Sequence, residues 1–306
     1  MQWLELEVKV HPEAVEAVSE LLNRYTDDGV AIEEPIELAE GGTEYRVLIG
    51  EPISIRMYLP MDQTEEEKRQ QIEQGLWYLS RIGERFIGEL QTRTVNDEDW
   101  ANAWKEHFHV THIGQHIVIR PGWRDYQPQP GEIVLTLDPG MAFGTGLHPT
   151  TRMCMEQLEQ LVKPGMRVID VGCGSGILSL LAVKLGAAHV YAIDNSSVAV
   201  ESTIANAQLN GESEHITTVL GELDNAAAER MAGQYDVVVS NILAHVIGSI
   251  APQLAKVMAP DGTLIVSGII EPRLHDALEP LLAAGLEQVS QVMIDDWMAL
   301  LLRMRV

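Results

Sequence analysis

Trp3 to Val10 alternates apolar and polar side chains, the period of a strand with one buried face. After His11-Pro12, the residues Val15, Val18, Leu21 and Leu22 recur at helical spacing and share one face. Val30–Ile36 and Tyr45–Leu59 read as extended, interrupted by Gly41-Gly42, Gly50 and Pro52. Thr64 with Glu67 matches a capping box opening a second helix that runs to about Ile82. Phe86–Val95 supplies a closing strand. The resulting β-α-β-β-α-β order predicts a small ferredoxin-like α+β domain over residues 1–95. Residues 96–108, NDEDWANAWKEHF, place Trp100, Trp104 and Phe108 at i, i+4 and i+8. That spacing predicts a linker helix whose apolar stripe docks between domains.

Over residues 109–306 strands alternate with helices. Short apolar strands are expected at Val168–Val171, His189–Ile193, Thr217–Leu220, Val237–Ser240 and Leu264–Ser267. Helices are expected at Leu178–Leu185, Val198–Asn210 and Val246–Met258. This order predicts an α/β domain, a mostly parallel sheet covered by helices on both faces. Gln288–Ile294 and Met298–Arg305 flank Asp295-Asp296-Trp297 and read as a hairpin that adds an antiparallel edge.

Composition sets bounds. The 306 residues are 46% hydrophobic and 22% charged, a globular balance with length for two domains. The most apolar run, Val237–Ala251, is broken by Ser240, Asn241, His245 and Ser249, so no membrane span is expected. The opening MQWLELEVKV lacks the pattern of a secretory signal. Cys154 and Cys173 are too few for a disulfide framework, so a cytoplasmic protein is expected. Acidic residues number 45 against 21 basic, a net charge of -24, and the first 60 residues alone hold 13 acids against four bases. Such a field repels phosphate backbones and attracts basic partners, so no direct nucleic-acid partner is expected. A merely solubilising surface would produce the same count.

Chemistry enters at Val168-Ile-Asp-Val-Gly-Cys-Gly-Ser-Gly176-Ile-Leu, an apolar strand running through three glycines into a helix. Glycines let a backbone turn sharply and approach a ligand, and the helix start offers free N–H groups. A nicotinamide loop of the form G-x-G-x-x-G would need glycine where Ile177 stands. The next strand ends at Asp194, twenty residues after Gly174, where a carboxylate can accept from both ribose hydroxyls or can cap a helix. The fourth strand ends in Ser240-Asn-Ile-Leu-Ala244. There Asn241 can meet a donor and accept a hydrogen bond from an acceptor amine, or serve a turn. Upstream, the glycine-rich stretch from Leu137 to Pro149 suits a lid, with Thr150 and Thr151 in the first turn of the following helix. His148 there could touch the acceptor or cap the helix. His107, His109, His112 and His116 crowd one stretch, but without cysteine or ligand spacing no metal is expected.

Taken together, these residues resemble the ribosomal protein methyltransferase A family, nearly end to end. The likeness takes in Trp3-Leu-Glu-Leu, Trp104-Lys-Glu-His-Phe108, Ile119-Arg-Pro-Gly-Trp123, Asp138 to Thr151, the glycine loop, Asn241-Ile-Leu-Ala244 and Ser267-Gly-Ile-Ile270. Where the family often has Phe-His-Pro and Pro-Ser-Trp, this chain has Phe108-His-Val and Pro121-Gly-Trp. The resemblance implies a class I, Rossmann-like methyltransferase domain with a seven-stranded sheet, preceded by a substrate-recognition domain. It implies S-adenosyl-L-methionine held at Thr151, Gly172, Asp194 and Asn241; the residue reading adds Gly174 of the loop to the cofactor site and Asn241 as the catalytic residue that orients the acceptor amine. The implied substrate is the basic stalk-base protein, protein eleven, of the large ribosomal subunit, methylated on lysine ε-amines and its N-terminal α-amine. A monomer is expected. Other readings are a methyltransferase for another protein lysine or a small amine, or a non-catalytic scaffold that binds S-adenosylmethionine.

Overall fold

Leu4, Leu6, Val8 and Val10 all turn to one side of the first strand, as the alternating pattern requires, and all are buried. The computed structural model describes residues 2–26, 30–33, 36–38, 45–47, 51–62, 64–82, 86–96, 109–137 and 148–305. It divides into two units, Met1–Phe108 and His109–Val306. In the first, β1 (Gln2–Val10), α1 (Val15–Asn23) and β2 (Ala31–Glu33) precede a hairpin of β3 (Ile36–Leu38) and β4 (Tyr45–Val47). Then come β5 (Ile53–Pro60), α2 (Glu65–Ile82) and β6 (Gln91–Asn96). The sheet runs β2-β5-β1-β6, every pair antiparallel, which is the ferredoxin-like order. One face packs with Ile55, Met57 and Leu59 against Val18 and Leu22 of α1 and Ile72 and Leu76 of α2. The other face carries Trp3 and Val95 at one end and a charged network beside them. Glu5 accepts from Tyr58 Oη (3.0 Å) and Arg93 (3.2 Å), and Glu7 accepts from Ser54 (3.0 Å) and Arg56 (3.3 Å).

Two local expectations differ from what is found. At the head of α2 the carboxylate of Asp62 accepts from both the N–H and the hydroxyl of Thr64, in place of the Thr64–Glu67 exchange. The last strand starts at Gln91 rather than Phe86, because Ile87 makes only an isolated bridge to Val10. Gly88 passes so close to Lys9 that a Cβ would lie 3.0 Å from its carbonyl oxygen. The linker helix expected over 96–108 falls outside the described residues, apart from Asn96 at the end of β6.

The second unit opens with β7 (Thr111–Ile113), β8 (Ile117–Pro121) and β9 (Ile133–Leu137), a three-stranded sheet of its own. Then follow α3 (Pro149–Leu161), β10 (Arg167–Val171), α4 (Ile177–Lys184), β11 (His189–Asp194), α5 (Ser197–Leu209) and β12 (Ile216–Leu220). Next are α6 (Asn225–Arg230), β13 (Tyr235–Asn241), α7 (Ala244–Ser249), α8 (Ala251–Val257) and β14 (Met258–Ile270). The chain closes with α9 (Leu274–Ala283), β15 (Leu286–Ile294) and β16 (Trp297–Met304). The seven-stranded sheet has the order β12-β11-β10-β13-β14-β16-β15. Its first five strands are parallel, and β16 enters antiparallel between β14 and β15 as the expected hairpin. Alternate residues face opposite layers. Val168, Val190, Val237 and Val239 pack against α3 and α4, whereas Ile169, Val238, Leu264 and Val266 pack under α7, α8 and α9.

The helix expected over Val246–Met258 is two helices, α7 and α8, with a break at Ile250. Pro252 explains it, since proline has no N–H to return to the carbonyl of Gly248. Gly248 serves a second purpose. A Cβ there would lie 2.1 Å from the backbone oxygen of Asp276 in α9, so the two helices meet at that glycine. Gly248→Ala is therefore expected to destabilise the protein by about 1–3 kcal/mol despite alanine's better helix propensity. Urea unfolding checks this, and an unchanged or higher midpoint contradicts it.

Candidate active site

The glycine loop is held in a shape that side chains would spoil. Beyond Val171, the loop passes through Gly172 (φ 80), Gly174 (φ 55) and Gly176 (φ 78) before α4 begins. A Cβ on Gly172 would sit 2.3 Å from Ile242 Cγ2, and one on Gly176 would sit 2.8 Å from Thr203 Cγ2. The Gly172 N–H reaches Ile193 O (2.8 Å), and the Gly174 N–H reaches Asp194 Oδ2 (3.0 Å). Asp194 Oδ1 accepts from the N–H of Ser196 (2.9 Å). The cap of α5 is Ser196 itself, so Asp194 ties the loop to β11 instead of capping the helix. A carboxylate has about four acceptor positions, which leaves Asp194 room for further donors.

Two residues that sequence reasoning passed over also brace this loop. Thr203 Oγ1 donates to Gly174 O (3.0 Å), and Asn206 Nδ2 donates to Ser175 O (2.9 Å). Both are buried polar residues of α5. Polar positions on the inward stripe of that helix were the available signal.

Asn241 ends β13 on the same side as Val237 and Val239, beneath α3. Its Nδ2 donates to Thr151 Oγ1 (3.2 Å) in the first turn of α3, and Thr151 is almost fully buried. Its Oδ1 is buried and has no hydrogen-bond partner among the described residues. A buried amide oxygen without a donor costs roughly 1–3 kcal/mol, which makes it a candidate acceptor for a bound group. Ser240 Oγ donates to Val171 O (2.9 Å), locking the Asn241 strand end beside the glycine loop. Gly172, Gly174, Asp194, Asn241 and Thr151 thus converge at the carboxyl ends of β10, β11 and β13. Ligands of open α/β sheets bind there.

His148 takes the capping alternative. Its Nδ1 accepts from Thr150 N–H (3.3 Å) at the head of α3, and its ring packs edge-on to Trp297 at 4.7 Å. Burial pushes its pKa down to about 4, keeping the ring neutral. The lid expected around Asp138–Gly146 lies outside the described residues. Of the clustered histidines, His112 Nε2 lies 3.1 Å from Tyr126 Oη and His116 Nδ1 lies 3.0 Å from Glu159 Oε1. Among the described residues no group of three potential ligands gathers around a common point.

Asp170 lies just below the loop, wholly buried, with Ser179 Oγ donating to its Oδ2 (2.7 Å) and no hydrogen-bond partner on Oδ1 among the described residues. Burial raises its pKa to about 7, with the charge of Asp194 adding and the Ser179 bond opposing. Between the ordinary carboxyl range and pH 7 the unfolded chain is ionised here while the folded chain keeps its proton. The unfolded state then binds fewer protons, so this group's contribution lowers stability as pH rises through that window. Asp170→Asn should remove that loss, on the order of a few kcal/mol at pH 8. Melting temperatures from pH 4 to 8 test this: the mutant's advantage should grow with pH, and parallel curves contradict it. His148 acts in the opposite sense, lowering stability as pH falls from about 6.5 toward 4.

Comparison with known proteins agrees with this geometry. The family model described as ribosomal protein L11 methyltransferase (PrmA) matches residues 2–305. A protein of Chloroflexus aurantiacus named ribosomal protein L11 methyltransferase is 42% identical, with 98% of each chain covered. One of the same name from Herpetosiphon aurantiacus is 43% identical over 98% of each chain. Among solved structures, the ribosomal protein L11 methylase of Lactobacillus delbrueckii subsp. bulgaricus superposes with a TM-score of 0.60 at 34% identity. That match covers 65% of this chain and 100% of the other. With the strand order, the glycine loop and the Asn241–Thr151 pair in place, this likeness along nearly the whole length settles the assignment: the chain belongs to the ribosomal protein L11 methyltransferase family.

Proposed function

We propose that this methyltransferase moves methyl groups from S-adenosylmethionine to lysine ε-amines, and to the N-terminal α-amine, of ribosomal protein L11. The observation that carries the reading is the buried, unpartnered Oδ1 of Asn241, fixed by Thr151 at the strand ends. The residues fit the donor. Gly172 and Gly174 hold φ 80 and φ 55, so the loop turns where a side chain would strain it, and Asp194 retains acceptor capacity after binding two backbone N–H groups. When bound, S-adenosylmethionine supplies an electrophilic methyl group on its sulfonium.

An amine attacks only when neutral, and a free lysine has a pKa of about 10.4. Desolvation near the buried end of β13 favours the neutral form. Asn241 Oδ1 accepts one N–H of that amine and aims its lone pair, so the gain comes chiefly from alignment, with the proton lost to water. The first unit would recruit the substrate. Residues 1–108 hold 24 of the 45 acids but only 10 of the 21 bases, a field suited to a basic ribosomal protein met by a single chain. Peptide mapping of methylated L11 tests the chemistry. Methyl groups confined to lysine and the α-amine support it, and methyl groups on arginine or carboxylate oxygen contradict it.

A further inference from the structure

The Ser267-Gly-Ile-Ile270 segment supplies none of the proposed donor-binding residues, yet it lies directly beside Asn241. In the parallel pairing of β13 with β14, Asn241 is opposite Ser267. On the other side of β14, the register against β16 slips between Val266 and Ile269, so the irregularity falls on Ser267-Gly268. Gly268 adopts φ 83 there. A Cβ on it would lie 2.2 Å from Ile242 O, 2.8 Å from Ile242 C and 3.0 Å from Ile242 N. These are backbone atoms of the residue after Asn241, and rotating a side chain cannot move them away. From the opposite side, Gly172 leaves room for Ile242 Cγ2. The turn carrying Asn241 is therefore threaded between two glycines. Ser267 is fully buried and fastens the irregular point: its Oγ donates to Met298 O (2.8 Å). Cys154 lies one helical turn beyond Thr151 on α3. The helix thus meets the end of β13 through Thr151, while Cys154 packs in the same core as Ile265 of β14.

We propose that Ser267 and Gly268 are positioning residues for methyl transfer, holding the backbone of Ile242 so that the Asn241 amide faces the acceptor amine. Bulges beside active sites often re-aim a neighbouring side chain. Here the strand irregularity sets the position of the neighbouring strand's end. This inference rests on the proposed role of Asn241, and the test separates the two.

The experiment compares wild type, Gly268→Ala, Ser267→Ala and Gly233→Ala. Gly233 has φ 68 but open space around it, so its alanine variant carries backbone strain without crowding. Two quantities are read: kcat and KM for L11, and the Asn241 side-chain amide resonances, assigned by their loss in Asn241→Ala. Gly268→Ala should lower kcat about 100-fold, as misplacement by an ångström does, with KM within about threefold. It should also shift the Asn241 resonances. Ser267→Ala should shift them too and lower kcat about tenfold. Gly233→Ala should change neither. A folded Gly268→Ala variant with unmoved resonances and wild-type kcat overturns the proposal, even if it melts at a lower temperature. If Gly268→Ala does not fold, Ser267→Ala decides by the same two readouts. If wild type fails to methylate L11, the substrate is wrong, and the Asn241 resonances still decide the positioning claim.

Discussion

Replacing Asn241 with alanine should slow methyl transfer about 10²–10³-fold, the size of effect seen when one preorganised polar group is taken from a reacting centre. In the proposed mechanism the side chain has two functions at once. Its Nδ2 is committed to Thr151 Oγ1, which leaves only Oδ1 for the amine. Alanine removes the acceptor that orients the nucleophile and also frees the Thr151 hydroxyl. The stability cost should be small, at most about 1–3 kcal/mol, because the oxygen is unsatisfied in the folded protein already. Single-turnover kinetics with saturating donor would show the loss in the transfer step itself. A rate within about threefold of wild type would remove Asn241 from the chemistry.

Gly172→Ala should weaken donor binding about 100-fold or more. A non-glycine residue at φ 80 costs about 1–2 kcal/mol on backbone grounds. The added methyl must also displace Ile242 Cγ2, which lies 2.3 Å from its position, and with it the turn that carries Asn241. About 3 kcal/mol in total corresponds to two powers of ten in affinity. Calorimetry with S-adenosylhomocysteine measures this directly. Gly165→Ala is the control, since Gly165 has φ 89 and nothing within 4 Å. Equal affinity in Gly172→Ala and wild type would show that the loop does not cradle the donor.

Most of the fold could be read from residue patterns because its signals are periodic. Five parallel strands, the terminal hairpin and the ferredoxin-like order all followed from alternation and apolar runs closed by glycine or polar residues. What was missed depends on contacts between distant segments. The strand order within the three-stranded sheet pairs β8 with β9 in parallel across a connection without a helix, which no local pattern announces. The exception is local: Pro252, which withholds an N–H from the Gly248 carbonyl, splits one expected helix into α7 and α8. At the site, the motifs named the residues but not their partners. Asp194 could have capped α5, and His148 could have faced the acceptor. Only coordinates show that Ser196 takes the first role and that His148 caps α3. Glycine's value at 268 was invisible for the same reason, since the atoms it spares belong to Ile242.

The central claim is that this chain methylates ribosomal protein L11, and intact-mass spectrometry tests it most directly. Purified L11 is incubated with the protein and S-adenosylmethionine, in parallel with Asn241→Ala. Mass gains in steps of one methyl group with wild type, lost or strongly reduced in the mutant, are the expected result. An unchanged L11 mass, with S-adenosylhomocysteine still bound in calorimetry, would leave a methyltransferase whose substrate is some other protein.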